Sequence, residues 1–394
     1  MMATQDLAAS ADPARVLAVL SDGLGAGGGI ARYGTDLLRA LQASERVAST
    51  RVVARHGADG VRGRRLSQRV AAGGRAGFAL ALGAERGRRY DAVVCGHLNL
   101  LPAALAVSRD APVWLLTYGI EAWRPRRRWA ARALERVALV TAISRDTRRR
   151  LLQWSAIAPE RVRVLPPTVS PDLTPGPADS RLAAALGLGR RRVLLTVGRL
   201  DPAERYKGHD RVIGALPALV AAGHDCAYLV VGEGGDRARL EAVARAAGVA
   251  ERVVFAGHVD DGRLADHYRL ADVFVMPSTG EGFGIVFLEA VACGCRVVGL
   301  DAAGARDALR DGALGALVAG DDLVPTLAAV LTAPPDPETA RRRRDAMLAA
   351  FGPAVFAAEV DAMLDRLRGE AAPSPTRPEP AHRGVGIRRP EPMS

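Results

Sequence analysis

The sequence predicts an α/β protein of two doubly wound domains facing each other across a cleft. Three observations predict it. The chain has 394 residues, too many for one ordinary core at roughly 100–200 residues per domain. Short apolar runs alternate with amphipathic stretches, the pattern of parallel strands joined by helices that cover both faces of a sheet. The alternation stops at a proline-rich segment and then restarts on the same plan.

In the first half, "RVLAVL" (15–20) is a strand, "GLGAGGGI" (23–30) a glycine-rich turn and "ARYGTDLLRALQAS" (31–44) an amphipathic helix. Strands follow at "TRVVARH", "DAVVCGH" and "PVWLLTYG", and "LVTAIS" and "RVRVLPP" close the half. "PPTVSPDLTPGPADS" (166–180) lacks periodicity and predicts a linker. The second half runs "RVLLTVGRL", a helix over 209–222, "CAYLVVGEG", a helix over 236–247, "RVVFAGHV", "ADVFVMPS", a helix over 284–293 and "CRVVGL". The predicted boundaries are a first domain over 14–170, a linker over 171–190, a second domain over 191–350 and a helical segment over 351–370. The proline- and charge-rich tail, 371–394, is expected to be disordered.

Hydrophobic content of 49% with 25% charged residues is ordinary globular composition. The start is polar and acidic rather than a basic flank with an apolar run, so no signal peptide is expected, and a cytoplasmic location follows. The four cysteines, Cys95, Cys226, Cys293 and Cys295, lie in apolar surroundings and are expected to be buried free thiols. The net charge of +11 is uneven: residues 1–190 carry +14 and residues 191–394 carry −3. A basic first half suggests an anionic partner.

The stretch "GEGFGIVFLEAVACG" (280–294) carries the most chemistry. Gly282 and Gly284 allow the backbone close to a ligand, and the helix that follows offers free N–H groups to a phosphate. Glu281 and Glu289 bracket that helix start. In "VGRLDPAERYKGHD", Arg199 and Lys207 share one strand-to-helix loop, a pair of cations suited to a diphosphate. Lys207 is the only lysine beside 53 arginines. Its compact ammonium differs in shape from a guanidinium fork, which is a reason for its retention at a tight site.

Together these residues resemble the retaining glycosyltransferases of the two-domain GT-B fold, specifically family four, over about residues 15–365. "GGIARY" (28–33), "TAISRDTRRRL", "VGRL…ERYKGHD", "VVGEGG", "VVFAGHV", "LADVFVMPS" and "GEGFGIVFLEAVACG" match in order and spacing. The resemblance implies two Rossmann-like domains and transfer of a sugar from a nucleotide-diphospho sugar, with no separate cofactor. The resemblance further implies attack from the leaving group's own face, with a phosphate oxygen taking the acceptor proton. It implies that Arg199 and Lys207 hold the diphosphate, that Glu281 contacts the donor sugar and that Glu289 binds the ribose. By the same resemblance, Gly28 and Gly29 would lie by the phosphates, and the backbone of Gly282, Phe283, Gly284, Ile285 and Val286 would contact sugar and phosphate. His258 and Val259 would frame the base. The chain contains no Asp-x-Asp, so the two cations are expected to replace a metal ion.

Tyr118 stands where the family very often has a histidine; a phenol can donate a hydrogen bond but does not ionise near neutral pH. His97 and Glu121 are further candidates for sugar or acceptor contact. "GIE-W" and "GARDAL" look most like members that build bacterial surface polysaccharides, often mannosyltransferases, which makes GDP-mannose the first guess for the donor. The basic stretches at 61–91 and 123–137, with Trp123 and Trp129 flanking arginines, fit a lipid-linked acceptor and a peripheral place on the inner face of an anionic membrane. No nucleic-acid partner is expected, because no recognition motif accompanies the charge. Two rivals remain open: a non-catalytic sugar-nucleotide binder, and a nicotinamide-dependent oxidoreductase suggested by "GLGAGGGI".

Overall fold

The computed structural model describes residues 12–124, 128–320 and 322–369. The tail at 371–394, and Arg126 and Arg127 of the basic run, lie outside the described residues. The first domain contains β1 (Ala14–Asp22), α1 (Gly29–Ala43), β2 (Val47–His56), β3 (Leu66–Val70), α2 (Gly74–Gly83) and β4 (Ala92–Cys95). It continues with α3 (Leu101–Ser108), β5 (Val113–Thr117), α4 (Arg128–Glu135), β6 (Leu139–Ala142), α5 (Arg145–Trp154) and β7 (Val162–Val164). All seven strands are parallel, in the order β3-β2-β1-β4-β5-β6-β7. Strand β3 was not expected: it lies inside the basic stretch "VRGRRLSQRV", where arginines hide the apolar alternation that marks a strand.

Helix α6 (Ser180–Ala185) precedes the second domain, whose elements begin with β8 (Arg192–Val197), α7 (His209–Ala221), β9 (Cys226–Val231), α8 (Arg237–Ala246), β10 (Val253–Gly257) and α9 (Asp261–Leu270). Then come β11 (Val273–Met276), α10 (Ile285–Ala292), β12 (Arg296–Leu300), α11 (Ala303–Ala308), β13 (Ala316–Val318), α12 (Leu323–Thr332) and α13 (Pro337–Phe351). The strand order is β10-β9-β8-β11-β12-β13, again all parallel. Short apolar strands such as β9 and β11 are buried throughout, as strands covered on both faces must be.

The segment between the domains is more structured than its prolines suggest. Leu173 and Leu188 are buried in the second domain's core, and Asp179 caps α6 by accepting from the amides of Arg181 and Leu182. The last helix, α14 (Pro353–Leu367), crosses back. Its Phe356, Val360, Met363 and Leu364 join Tyr33, Leu37 and Leu41 of α1 in the first domain's core. Full burial of such side chains contributes about 1.5–3 kcal/mol each. Taken as one run, Pro337–Leu367 is long and apolar enough to cross a membrane, with mean hydropathy 1.5. Here α13 and α14 are parted at Gly352, and each packs on a domain core. The four cysteines are free and buried.

Candidate functional site

In each sheet the connections change direction at one point, between β1 and β4 in the first and between β8 and β11 in the second. Crevices open at the carboxyl ends of the strands there. The two crevices face each other, and three contacts along the rim join them. Gly119, after β5, meets Gly282, after β11: a β-carbon on Gly282 would lie 2.0 Å from the Tyr118 carbonyl oxygen, and one on Gly119 would lie 2.9 Å from the Gly282 α-carbon. Only glycine fits either position. Arg32 of α1 pairs with Glu289 of α10. Arg145 of α5 pairs with Asp307 and, at 2.9 Å, with Asp311.

On the second domain's wall, Arg199 leaves the end of β8 and Lys207 returns just before α7. Glu204 lies between them. It pairs with the Arg199 guanidinium and, at 2.8 Å, with the Lys207 ammonium. Lys207 is only 12% exposed, and a β-carbon on Gly198 would approach its Nζ to 3.1 Å. The ammonium lies in a nearly closed gap beside the Gly198 backbone, where a side chain on residue 198 would crowd it. The Thr279 amide donates to the Tyr206 carbonyl at 2.9 Å, tying the β8 loop to the β11 loop. That junction brings Glu281 into the field of both cations: burial pushes its pKa up, and Lys207 opposes the shift. The Glu281 carbonyl accepts from the Gly304 amide at 3.0 Å, so "GARDAL" braces the glycine loop from behind.

Helix α10 begins at Gly284, whose φ is 86°. Glu289, in its second turn, is 2% exposed. Its carboxylate accepts from the Tyr268 hydroxyl at 2.7 Å and faces Arg32. Burial raises its pKa, and Arg32 with Tyr268 holds it back. Phe283 turns inward, its ring edge-on to Phe351 at 5.6 Å, which leaves only its backbone for the cleft. Val286 packs against the same core, and Ile285 opens the helix. His258 and Val259 follow β10 at the sheet edge; His258 is exposed, with Nε2 3.7 Å from Asp260.

On the first domain's wall, Gly28 caps α1 with φ 94°, and open space lies before Gly28 and Gly29. The Tyr118 ring sits edge-on to Tyr33 at 5.4 Å and 6.5 Å from the His97 ring. Burial, then Tyr33, pushes the Tyr118 phenol well up, so it stays protonated. His97 both borders this aromatic group and caps a short helical turn, its Nδ1 accepting from the Asn99 amide at 3.0 Å. Glu121 is buried and accepts from the Tyr118 amide, a turn-forming bond rather than an open carboxylate. Trp123 is likewise engaged internally: its indole donates to Thr147 at 3.2 Å, and Arg150 stacks on its ring at 4.3 Å.

Sequence reasoning missed Arg32, Glu204 and Tyr268. Arg32 stood inside the quoted "GGIARY", and Glu204 opened "ERYKGHD". An acid three residues before a lone lysine was the available signal. Nothing in the sequence ties Tyr268 to Glu289, 21 residues on. Among the described residues, no group of three His, Cys, Asp or Glu is placed to hold a metal ion.

Two facing parallel sheets with a basic, glycine-lined cleft define the GT-B class. Solved structures of this architecture superpose on nearly the whole chain. Sucrose-phosphate synthase from Thermosynechococcus elongatus does so with a TM-score of 0.72 at 21% identity, covering 91% of this chain and 100% of that one. Anabaena HepE in complex with UDP and glucose gives 0.69 at 19% identity, covering 89% and 99%. The family described as "Glycosyl transferases group 1" matches residues 191–333, and "Glycosyltransferase Family 4" matches residues 27–173. The chain belongs to the group 1, family-four glycosyltransferases. It is 39% identical over 208 residues to a GDP-mannose-dependent alpha-(1-6)-phosphatidylinositol monomannoside mannosyltransferase of Mycolicibacterium smegmatis, covering 49% of this chain and 53% of that protein. A D-inositol 3-phosphate glycosyltransferase of Geodermatophilus obscurus is 39% identical over 204 residues, covering 48% and 44%. The chain thus spans about half the length of the curated relatives it matches.

Proposed function

We propose that this chain is a retaining, metal-independent glycosyltransferase that moves a sugar, mannose from GDP-mannose first among candidates, to an inositol-bearing or other lipid-linked glycan acceptor. The observation that carries this reading is the Arg199–Glu204–Lys207 cluster beside Glu281, at the switch point of the second sheet. Glu204 holds the two cations at the place where the donor's diphosphate would sit. A diphosphate brings more charge than one carboxylate and draws both cations to itself. The ribose hydroxyls would reach Glu289, whose partner Arg32 comes from the opposite domain.

The anomeric carbon–oxygen bond to the diphosphate breaks, and negative charge grows on the leaving oxygen. Lys207 and Arg199, already aimed there, stabilise that charge without reorganising. The acceptor oxygen bonds to the anomeric carbon on the same face, and its proton passes to a phosphate oxygen. Glu281 accepts hydrogen bonds from the donor sugar. The Tyr118 phenol, kept neutral by burial, can only donate or accept a hydrogen bond there.

The names of the mycobacterial and actinobacterial relatives support the mannose and inositol guess. A lipid-linked acceptor would bring the first half, with its +14 charge, to the anionic inner face of the plasma membrane. The test is a thermal-shift panel of GDP-, UDP-, ADP- and TDP-sugars, followed by transfer assays with and without EDTA. GDP-mannose should give the largest shift. No stabilisation by any of the four would remove the donor reading, and EDTA-abolished transfer restored by Mn²⁺ would remove metal independence.

A further inference from the structure

Among the rings of the first domain's wall stands a carboxylate that the donor chemistry does not use. Asp22 is the last residue of β1, and Tyr118 directly follows β5. Strands β1, β4 and β5 are neighbours in the sheet. The register that sets Val19 beside Cys95 and Cys95 beside Leu115 brings Asp22 and Tyr118 to the same level of the carboxyl-end rim. Their strands stand two spacings, about 10 Å, apart. Side chains two residues apart along a strand share a face. Leu20 and Leu116, two residues before Asp22 and Tyr118, both belong to the core under α1. Tyr118 packs on that core beside Tyr33 of α1, so Asp22 lies on the same face as the two tyrosines.

In a chain with 53 arginines, Asp22 pairs with no cation among the described residues. Its Oδ2 accepts from the neighbouring Ser21 hydroxyl at 2.7 Å. Its Oδ1 and the Tyr118 hydroxyl have no hydrogen-bond partner among the described residues, and neither atom is closed to solvent. After burial, Tyr33, Glu121 and Cys95, the Asp22 charge also pushes the Tyr118 phenol up, as a carboxylate near that ring must. Glu121, the other carboxylate at this rim, is already taken by the Tyr118 amide. His56, the register partner of Asp22 on β2, is exposed and forms no ion pair with it among the described residues. The wall thus holds an uncompensated carboxylate and a neutral phenol, both open, on one face of the crevice.

We propose that Asp22 and Tyr118 hold the acceptor by its hydroxyls, so that the ring entering the first domain's crevice is an uncharged polyol, a sugar or cyclitol with no phosphate facing this wall. The proposal deepens the transferase reading of the cleft and rests on it. A carboxylate only accepts, and a neutral phenol donates or accepts, a set that matches the hydroxyls of such a ring. The Tyr33, His97 and Tyr118 rings add the apolar surface that small-molecule sites carry beside a few polar groups. A phosphate would set its own negative charge against Asp22, and like charges brought together at a binding surface are costly. Any phosphate of a lipid-linked acceptor therefore lies outside this crevice.

The neutral probes are methyl α-D-mannoside and myo-inositol, and their phosphorylated counterparts are mannose 6-phosphate and myo-inositol 1-phosphate. Each is titrated into the full chain without donor and followed by ligand-observed saturation-transfer NMR. Asp22→Asn should weaken the better neutral probe by about tenfold or more, the worth of hydrogen bonds to a charged group. Tyr118→Phe should weaken it by about threefold or more. Tm should move little in either, since the atoms altered hold no contact between elements. Asp22→Asn should bind the phosphorylated counterpart no more weakly than the unaltered chain does, because the repelling charge is gone. Calorimetry with GDP, UDP, ADP and TDP reads the donor site separately, and the preferred nucleotide should bind all three proteins alike. If the unaltered chain binds none of the four, the donor reading fails and takes this proposal with it. If a nucleotide binds but neither neutral probe does, or the neutral probe binds all three proteins equally, the proposal alone is overturned. The same holds if Asp22→Asn weakens the phosphorylated counterpart as much as the neutral probe.

Discussion

The two walls of the cleft are built from different material. The second domain supplies charge: Arg199, Glu204, Lys207 and Glu281 come from two loops tied together by the bond from Thr279 to Tyr206. The first domain supplies shape: open glycine backbone before α1, the Tyr33, His97 and Tyr118 rings, and Gly119 against Gly282. Six of its arginines instead line a cavity near the amino ends of its strands. The difference teaches that net charge by half, +14 against −3, does not locate the clustered cations of the cleft. Arg199 and Lys207, joined through Glu204, belong to the half with the lower net charge.

The largest effect is expected on the charged wall. Lys207→Arg keeps the charge and changes the shape: a planar guanidinium fork replaces a compact ammonium that is nearly enclosed and lies close enough to Gly198 that a β-carbon there would come within 3.1 Å. A lost contact of about 3 kcal/mol to developing phosphate charge costs on the order of a hundredfold in turnover. Lys207→Ala should be at least as severe, and Tm should move little in either. Near-full activity in Lys207→Arg would show that the second wall supplies charge without geometry.

The next effect tests the shaped wall. In Gly282→Ala the new carbon would meet the Tyr118 carbonyl at 2.0 Å, so the walls must part. A displacement of about 1 Å at a reacting centre can cost as much as a hundredfold, and a loss of roughly ten- to fiftyfold in kcat is expected. Affinity for free nucleotide, which the proposed donor site assigns mainly to the second domain, should change less than threefold. Equal losses in both would mean that the two walls do not divide the labour.

Much of this contrast was legible in the sequence. The strand–helix alternation reports burial on both faces directly, so β1, β9 and β11 could be read from their apolar runs. The cations and carboxylates of the second wall sit in two short segments, each local in sequence. The first wall was less legible because its contacts are made across the domain boundary. Arg32 meets Glu289 257 residues away, and Gly119 owes its identity to a backbone 163 positions on. Strand β3 was hidden by arginines, and α14 gave no sign that it returns to the first domain. Glu121 looked like an available acid and instead holds the turn at Tyr118.

The pair that joins the walls gives a middling effect. Glu289→Ala should raise the Kd of free nucleotide about tenfold, the worth of one or two hydrogen bonds to ribose. Arg32→Ala leaves a buried carboxylate without its counter-charge and should lower Tm by several degrees, with nucleotide affinity changed less. Unchanged nucleotide affinity in Glu289→Ala would take that residue out of the donor site and leave it a purely structural link between domains.

The smallest effect at neutral pH lies directly behind the charged wall. His209, two residues after Lys207, is 5% exposed; its Nδ1 lies 2.9 Å from the Tyr228 hydroxyl, and its Nε2 has no partner. Burial, and then the nearby Lys207 charge, lowers its pKa to about 4. An unfolded histidine takes up its proton near pH 6.5. Between those two values the unfolded chain binds one more proton than the folded one, so stability is full above pH 6.5 and falls as pH drops toward 4. The loss should approach about 3 kcal/mol at the acid end. His209→Gln, which cannot titrate, should flatten this part of the stability–pH curve while changing stability at pH 7.5 by about 1 kcal/mol or less. In Lys207→Ala the loss should be smaller and end at a higher pH, with the same onset near pH 6.5, since one of the charges opposing the imidazolium is gone. Urea titrations at pH 7.5, 6, 5 and 4.5 measure it. An unchanged slope in His209→Gln would mean that the histidine is not held neutral by its burial, and an unmoved curve in Lys207→Ala would mean that the cleft's cation does not reach the core beneath it.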